Sequence, residues 1–443
     1  MGKFQKGFFV GAATAAHQVE GNNIYSDCWA QEQLKYSIFQ EPSLDAVDHY
    51  NRYQEDIEYM ADAGLNAYRF SIEWARIEPE QGKFVETEIK HYRNVIRCCR
   101  EKGLEPFVTL HHFSSPLWVI QKGGWESEDV IQYFAEYVEY VMKKLGNEIK
   151  YVCTINEANM GLQIASIMER QKRQEKANAS RRKEEGQQVQ LGMDSEKMEE
   201  NERLGAEENE RVFYTATPQT FCSSRTEQGD FIVMKAHQKA VHIIKELYPE
   251  TKTGLTLSLH DIQPQPGGEE RAKAEWEKEF THYLPYIEQD NFLGVQNYSR
   301  SRIGADGIVP APEHAELTQM NYEYYPEALE HVIRAVSKQF HGDLYVTENG
   351  IATADDTRRI AFIEKATDGV ASCIADDIPV KGYFYWSLLD NFEWHRGYTM
   401  TFGLIQVDRK NGMKRQVKPS LAYLVRINKL CRHNKLTDIR TKN

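Results

Sequence analysis

The stretch Tyr345-Val346-Thr347-Glu348-Asn349-Gly350 is an aromatic and β-branched run that ends in a carboxylate and then a glycine. A run without polar alternation fits a strand covered on both faces, as in a parallel sheet. Thr154-Ile155-Asn156-Glu157 closes a second such run in the same way, with a carboxamide and a carboxylate at its end.

Working outward, strand-like runs recur at Gly7–Gly11, Ala67–Ile72, Pro106–His112, Lys150–Asn156, Gly254–Leu259, Phe292–Tyr298, Asp343–Glu348 and Lys381–Leu388. Amphipathic stretches lie between them. His49–Ala63 places Tyr53, Ile57 and Met60 near one face, with Gly64 as a helix stop; Val130–Leu145 and Asp230–Leu247 behave similarly. Strand and helix alternating eight times predict an α/β protein, a single (β/α)8 TIM barrel over residues 1–443. A doubly wound open sheet is the competing arrangement. The barrel is favoured because His112, Asn156, Glu157, Tyr298, Glu348 and Trp386 all fall at C-terminal ends of different candidate strands. In a barrel those ends converge on one face.

One segment, residues 169–211, breaks the alternation. It holds 22 charged residues in 43 and no aromatic. Such a composition builds no core, so it predicts a charged insertion after strand 4, helical or partly disordered. A lid or oligomer contact beside Glu157 is the sharper alternative.

Bulk properties exclude several functions. A net charge of −12 argues against nucleic-acid and anionic-membrane partners, which need a basic field. No apolar run approaches the roughly 20 residues of a membrane span. Met1–Val10 has no secretory pattern, and the seven cysteines show no CxxC or metal-ligand spacing. The expectation is a soluble cytoplasmic protein with reduced thiols; a homo-oligomer is left open.

Paired carboxylates at strand ends are what glycosidic bond cleavage needs, one as proton donor and one as nucleophile or base. Their environments must differ, because the donor needs a raised pKa while the nucleophile stays ionised. Arg69, at the end of the second strand, would favour the charged form of Glu348 if buried beside it. Asn156 is placed to donate its amide to a sugar hydroxyl. Taken singly, each residue reads as readily as a surface glutamate, a core histidine or packing tryptophan; joint placement raises the catalytic reading.

The chain resembles glycoside hydrolase family 1, the β-glucosidase-like retaining enzymes. The likeness runs to about Leu424, except over the charged segment. It is carried by Ala12-Ala13-Thr14-Ala15-Ala16-His17-Gln18-Val19-Glu20-Gly21, Tyr68-Arg69-Phe70-Ser71-Ile72-Glu73-Trp74, Thr109-Leu110-His111-His112-Phe113, Asn156-Glu157, Thr347-Glu348-Asn349-Gly350-Ile351 and Trp386-Ser387-Leu388-Leu389-Asp390-Asn391-Phe392-Glu393-Trp394. The resemblance implies a (β/α)8 fold, with Glu157 as acid/base, Glu348 as nucleophile and Tyr298 touching it. Gln18, His112, Asn156, Glu393 and Trp394 match positions that hydrogen-bond the sugar, and Trp386 matches the platform beneath its ring. The implied partner is a small β-glycoside or short oligosaccharide, and no metal or organic cofactor is called for.

Glu393 accepts hydrogen bonds from sugar hydroxyls but would repel a 6-phosphate. The expected activity is therefore retaining hydrolysis of the non-reducing terminal β-D-glucosyl residue of unphosphorylated glucosides. A 6-phospho-β-glucosidase and a catalytically silent sugar-binding relative are the alternatives, and transglycosylation is a kinetic variant. Three departures from the family pattern stand out. Ala158 replaces a proline after the acid/base, Gln296 an asparagine and Asn297 an aromatic. The charged segment replaces a stretch that shapes the leaving-group side.

Overall fold

A computed structural model describes residue 4 and residues 6–177 and 195–427. Eight parallel strands close into a barrel: β1 (Phe9–Ala13), β2 (Ala67–Ser71), β3 (Glu105–His111), β4 (Tyr151–Ile155), β5 (Lys252–Ser258), β6 (Phe292–Gln296), β7 (Asp343–Asn349) and β8 (Val380–Trp386). Each pairs with the next in sequence, and β8 closes on β1 from Phe9 opposite Gly382 to Ala13 opposite Trp386. Closure rules out the open sheet and gathers all eight C-terminal ends around one mouth.

The strand boundaries correct the sequence reading in useful ways. The first strand begins at Phe9, two residues late, because Gly7 sits at φ 97°, outside the extended region. His112, Asn156 and Tyr298 lie just beyond their strands, whereas Glu348 lies inside β7 and Trp386 ends β8. Helix His49–Ala63 forms as expected, and Gly64 at φ 100° donates to the Met60 and Ala61 carbonyls to close it. The helix expected from Asp230 starts earlier, at Glu227, because Thr226 caps it through the Gly229 amide at 3.0 Å.

Two cores result. Inside the barrel, Phe107 stacks on Tyr151 (centroids 4.2 Å apart) and meets Phe384 edgewise at 4.7 Å. Phe9, Phe292 and Tyr345 complete this aromatic plug below the site. Outside, the helices cover the strands; Trp74, fully buried, packs on Tyr137, Phe134 and Trp118.

The charged stretch 169–211 is helical where it is described. Residues 169–177 belong to helix Met160–Ala177, and residues 195–211 to helix Ser195–Phe213. Gly186 and Gly192 lie outside the described residues. The second helix ends against the barrel's own loops: Phe213 is fully buried, and Gln121 Nε2 donates to the Val212 carbonyl at 2.8 Å. No helix among the described residues is long and apolar enough to cross a membrane.

Candidate active site

Arg69 organises the top of the barrel. Its side chain is fully buried, a costly place for a guanidinium unless its charge is met. Nη1 donates to Glu348 Oε1 at 2.6 Å and Nη2 to Asn156 Oδ1 at 2.5 Å, so one side chain from β2 ties β7 to the end of β4. Tyr298 OH donates to the other Glu348 oxygen at 2.7 Å.

Glu348 owes its place to an irregular strand. The register of β7 slips against β6 between Val346 and Glu348, and against β8 between Val346 and Asn349. The slip surrounds Thr347, and such bulges re-aim neighbouring side chains. Gly294 on β6 makes room for it, since a Cβ there would stand 2.8 Å from Thr347 Oγ1 and 2.5 Å from Thr256 Cγ2.

Glu157 sits in the left-handed region at φ 42°, uncommon for a residue with a side chain and frequent at working sites. Thr256 on β5 braces it twice: its Oγ1 accepts from the Glu157 amide and its carbonyl from the Ala158 amide, both at 3.1 Å.

Glu157, Glu348 and Glu393 are all buried and share one electrostatic space. Burial pushes the Glu157 carboxyl well above the usual range; the charges of Glu348 and Glu393 add to this while Arg69 opposes it. Burial raises Glu348 too, but Arg69, Tyr298 and Gln296 pull it back. Glu348 is thus the first of the two to ionise, and Glu157 keeps its proton longer. Glu393 is pushed up to about 8 by burial and by Glu348, against hydrogen bonds from Gln18 and Trp386.

Asn156 is oriented by its neighbours. Its Oδ1 accepts from Arg69, from Gln296 Nε2 at 2.8 Å and from Thr256 Oγ1 at 3.2 Å, so its Nδ2 faces His112 Nε2 at 3.1 Å. Burial and the Arg69 charge hold His112 well below its ordinary pKa, so the ring is neutral. His112 lies nearly parallel to Trp386 at 5.7 Å, and Trp394 stacks on His17 at 5.6 Å. Gln18 Nε2 donates to the Phe392 carbonyl at 2.8 Å and to Glu393 Oε2 at 3.2 Å.

Every residue singled out in the sequence therefore lies in one constellation: Arg69, His112, Asn156, Glu157, Tyr298 and Glu348 on one side, Gln18, Trp386, Glu393 and Trp394 on the other. Two contributors escaped the sequence reading. Gln296, noted there only as a departure, spans to Asn156, and Tyr322 feels the charges of Glu393 and Glu157. Among the described residues, no group of three His, Cys, Asp or Glu is arranged to hold a metal. A cavity lined by Tyr59, Ala63, Leu421 and Val425 borders helix His49–Ala63, and none of the constellation lines it.

The model of Glycosyl hydrolase family 1 matches residues 1–170 and 289–433. The chain is 31% identical over 492 residues to Beta-glucosidase 4 of Oryza sativa subsp. japonica, covering 96% of this chain and 95% of that one. It is 28% identical over 480 residues to 1,4-beta-D-glucan glucohydrolase of Thermotoga neapolitana, covering 95% and 97%. The crystal structure of beta-glycosidase BGL167 matches with a TM-score of 0.85 at 42% identity over 97% of each chain. A barrel with buried carboxyls at its mouth, among such relatives, is that of a glycosidase. The chain belongs to glycosyl hydrolase family 1.

Proposed function

We propose that the enzyme cleaves the terminal β-D-glucosyl residue of unphosphorylated β-glucosides by double displacement with retention. The observation that carries this reading is the contrast between two buried carboxyls. Glu348 has Arg69 on one oxygen and Tyr298 on the other, whereas Glu157 receives no hydrogen bond on its carboxyl among the described residues. The first suits an ionised nucleophile and the second a proton donor.

In this scheme a Glu348 oxygen forms a bond to the anomeric carbon as the glycosidic C–O bond breaks. Glu157 gives its proton to the departing oxygen. It then takes a proton from water, whose oxygen displaces Glu348 and releases the sugar with its original configuration. Asn156, His112, Gln18 and Glu393 present donors and acceptors to the sugar hydroxyls, and Trp386 covers its apolar face. Initial rates on p-nitrophenyl β-glucoside, β-galactoside, β-fucoside and β-glucoside 6-phosphate test the reading. Turnover of the glucoside that vanishes in Glu348→Gln supports it. Turnover of the phosphorylated substrate alone would overturn the unphosphorylated reading, in which Glu393, pushed up to about 8, repels a 6-phosphate only where it is ionised, and binding without turnover would return the silent relative.

A further inference from the structure

The residue after Glu157 is Ala158, which leaves backbone rotation open where the family's proline would close it. The Ala158 carbonyl is instead gripped from outside: Arg225 Nη1 donates to it at 2.8 Å. The same guanidinium donates through Nη2 to the Phe221 carbonyl at 2.9 Å and lies over the Phe221 ring at 4.5 Å. Its Nη1 is 3.6 Å from Asp230 Oδ1, and Asp230 is itself held by Tyr283 OH at 3.0 Å and His282 Nε2 at 2.9 Å. Arg225 is only 4% exposed and Asp230 is fully buried.

The approach is close by design of the chain. The Arg225 amide donates to the Gly161 carbonyl at 3.2 Å, and a Cβ at Gly161 would fall 2.6 Å from the Arg225 side chain. Any larger residue at 161 would push the arginine off the loop. Arg225 also lies in the stretch between residues 170 and 289 that the family model does not match.

We infer that Arg225, braced by Asp230, is a positioning residue that locks the Glu157–Ala158 turn and so aims the proton donor. The inference rests on the reading of Glu157 as acid/base given above. With Nη2 fixed on the Phe221 carbonyl, the planar guanidinium presents Nη1 to the Ala158 carbonyl in a set direction as well as at a set distance, which a flexible side chain does not. Loss of that hold misplaces the acid, and a misplacement near 1 Å costs up to about 100-fold in rate.

The test is kcat/KM for Arg225→Met on two substrates, cellobiose, whose leaving group needs a proton, and 2,4-dinitrophenyl β-glucoside, whose leaving group does not. Arg225→Lys and the double variant Arg225→Met/Asp230→Asn are measured alongside, the latter removing both buried charges so that folding is not the variable. The expected result is a loss of about 10- to 100-fold on cellobiose with less than about 3-fold on the activated substrate, in the single and double variants alike, and partial recovery in Arg225→Lys. Equal losses on both substrates, or full activity in a folded variant, would overturn the inference. Glu157→Ala is the control: if it shows the same selectivity and Arg225→Met does not, the positioning role fails while the acid role stands. If Glu157→Ala is itself unselective, both fall.

Discussion

Arg69 and Glu348 come from strands three apart around the barrel, β2 and β7, and meet at 2.6 Å with both side chains buried. Their pairing favours the ionised form of Glu348, because the guanidinium lowers what burial raises. Arg69→Met leaves Glu348 buried without its partner, so its proton is held to higher pH. The acidic limb of the kcat/KM profile should move up in pH, and kcat/KM at neutral pH should fall by about 100-fold or more. Breaking a buried pair from one side also costs about 3–5 kcal/mol of stability. A pH–rate profile and a denaturant titration of the variant check both statements; an unmoved acidic limb would count against the pairing's role.

Glu348→Gly should abolish hydrolysis on the order of 10⁴-fold or more, the scale expected when the nucleophile of a covalent mechanism is lost. Azide should restore turnover of activated glucosides by entering the vacated space, giving the α-glucosyl azide. Product stereochemistry by NMR decides; a folded variant that azide fails to rescue would speak against the nucleophile.

The three buried carboxyls make folding depend on pH in a defined direction. Glu393, raised to about 8, stays protonated in the folded chain where its unfolded counterpart has already ionised. The folded state then binds more protons, so stability is full below the unfolded pKa of about 4.5 and is lost as pH rises through the folded value near 8. Each such proton contributes a slope of about 1.4 kcal/mol per pH unit at most. Thermal unfolding between pH 5 and 9 should show a falling Tm, less steep in Glu393→Gln. Parallel curves would exclude Glu393 as a source.

Phe107 lies at the centre of the aromatic plug, fully buried against Tyr151 and Phe384. Phe107→Ala should cost about 3–5 kcal/mol through lost burial and the cavity left behind. Calorimetry would show it as a lower Tm, and a change below about 1 kcal/mol would mean that the plug collapses to refill the space.

Much of this was legible before any coordinates. Glu157 and Glu348 stand at the ends of apolar runs, and a barrel has one place to put strand ends; Arg69, expected at the end of its strand, lies in the middle of β2. Tyr298 and His112 read as the last residues of their strands, which stop two residues and one residue earlier, because apolar runs do not mark where pairing stops. What stayed hidden depends on angles and distant partners. The slip around Thr347 leaves no compositional trace, and Gln296 looked like a lengthened asparagine until its reach to Asn156 was visible. Arg225 is 67 residues from the carbonyl it grips and lies in a polar stretch without periodicity, so no local pattern points to it.

The aromatic plug has a kinetic corollary. Rings from Phe9, Phe107, Phe292, Tyr345 and Phe384 seal the barrel from below, so whatever enters the mouth must also leave by it. On the proposed mechanism departure would be sequential: the fragment nearer solvent goes first, and the sugar lodged above the rings follows once water has freed it. The last product out occupies the place the next molecule needs, so glucose should act as a competitive inhibitor whose grip sets the ceiling on how far a digestion runs.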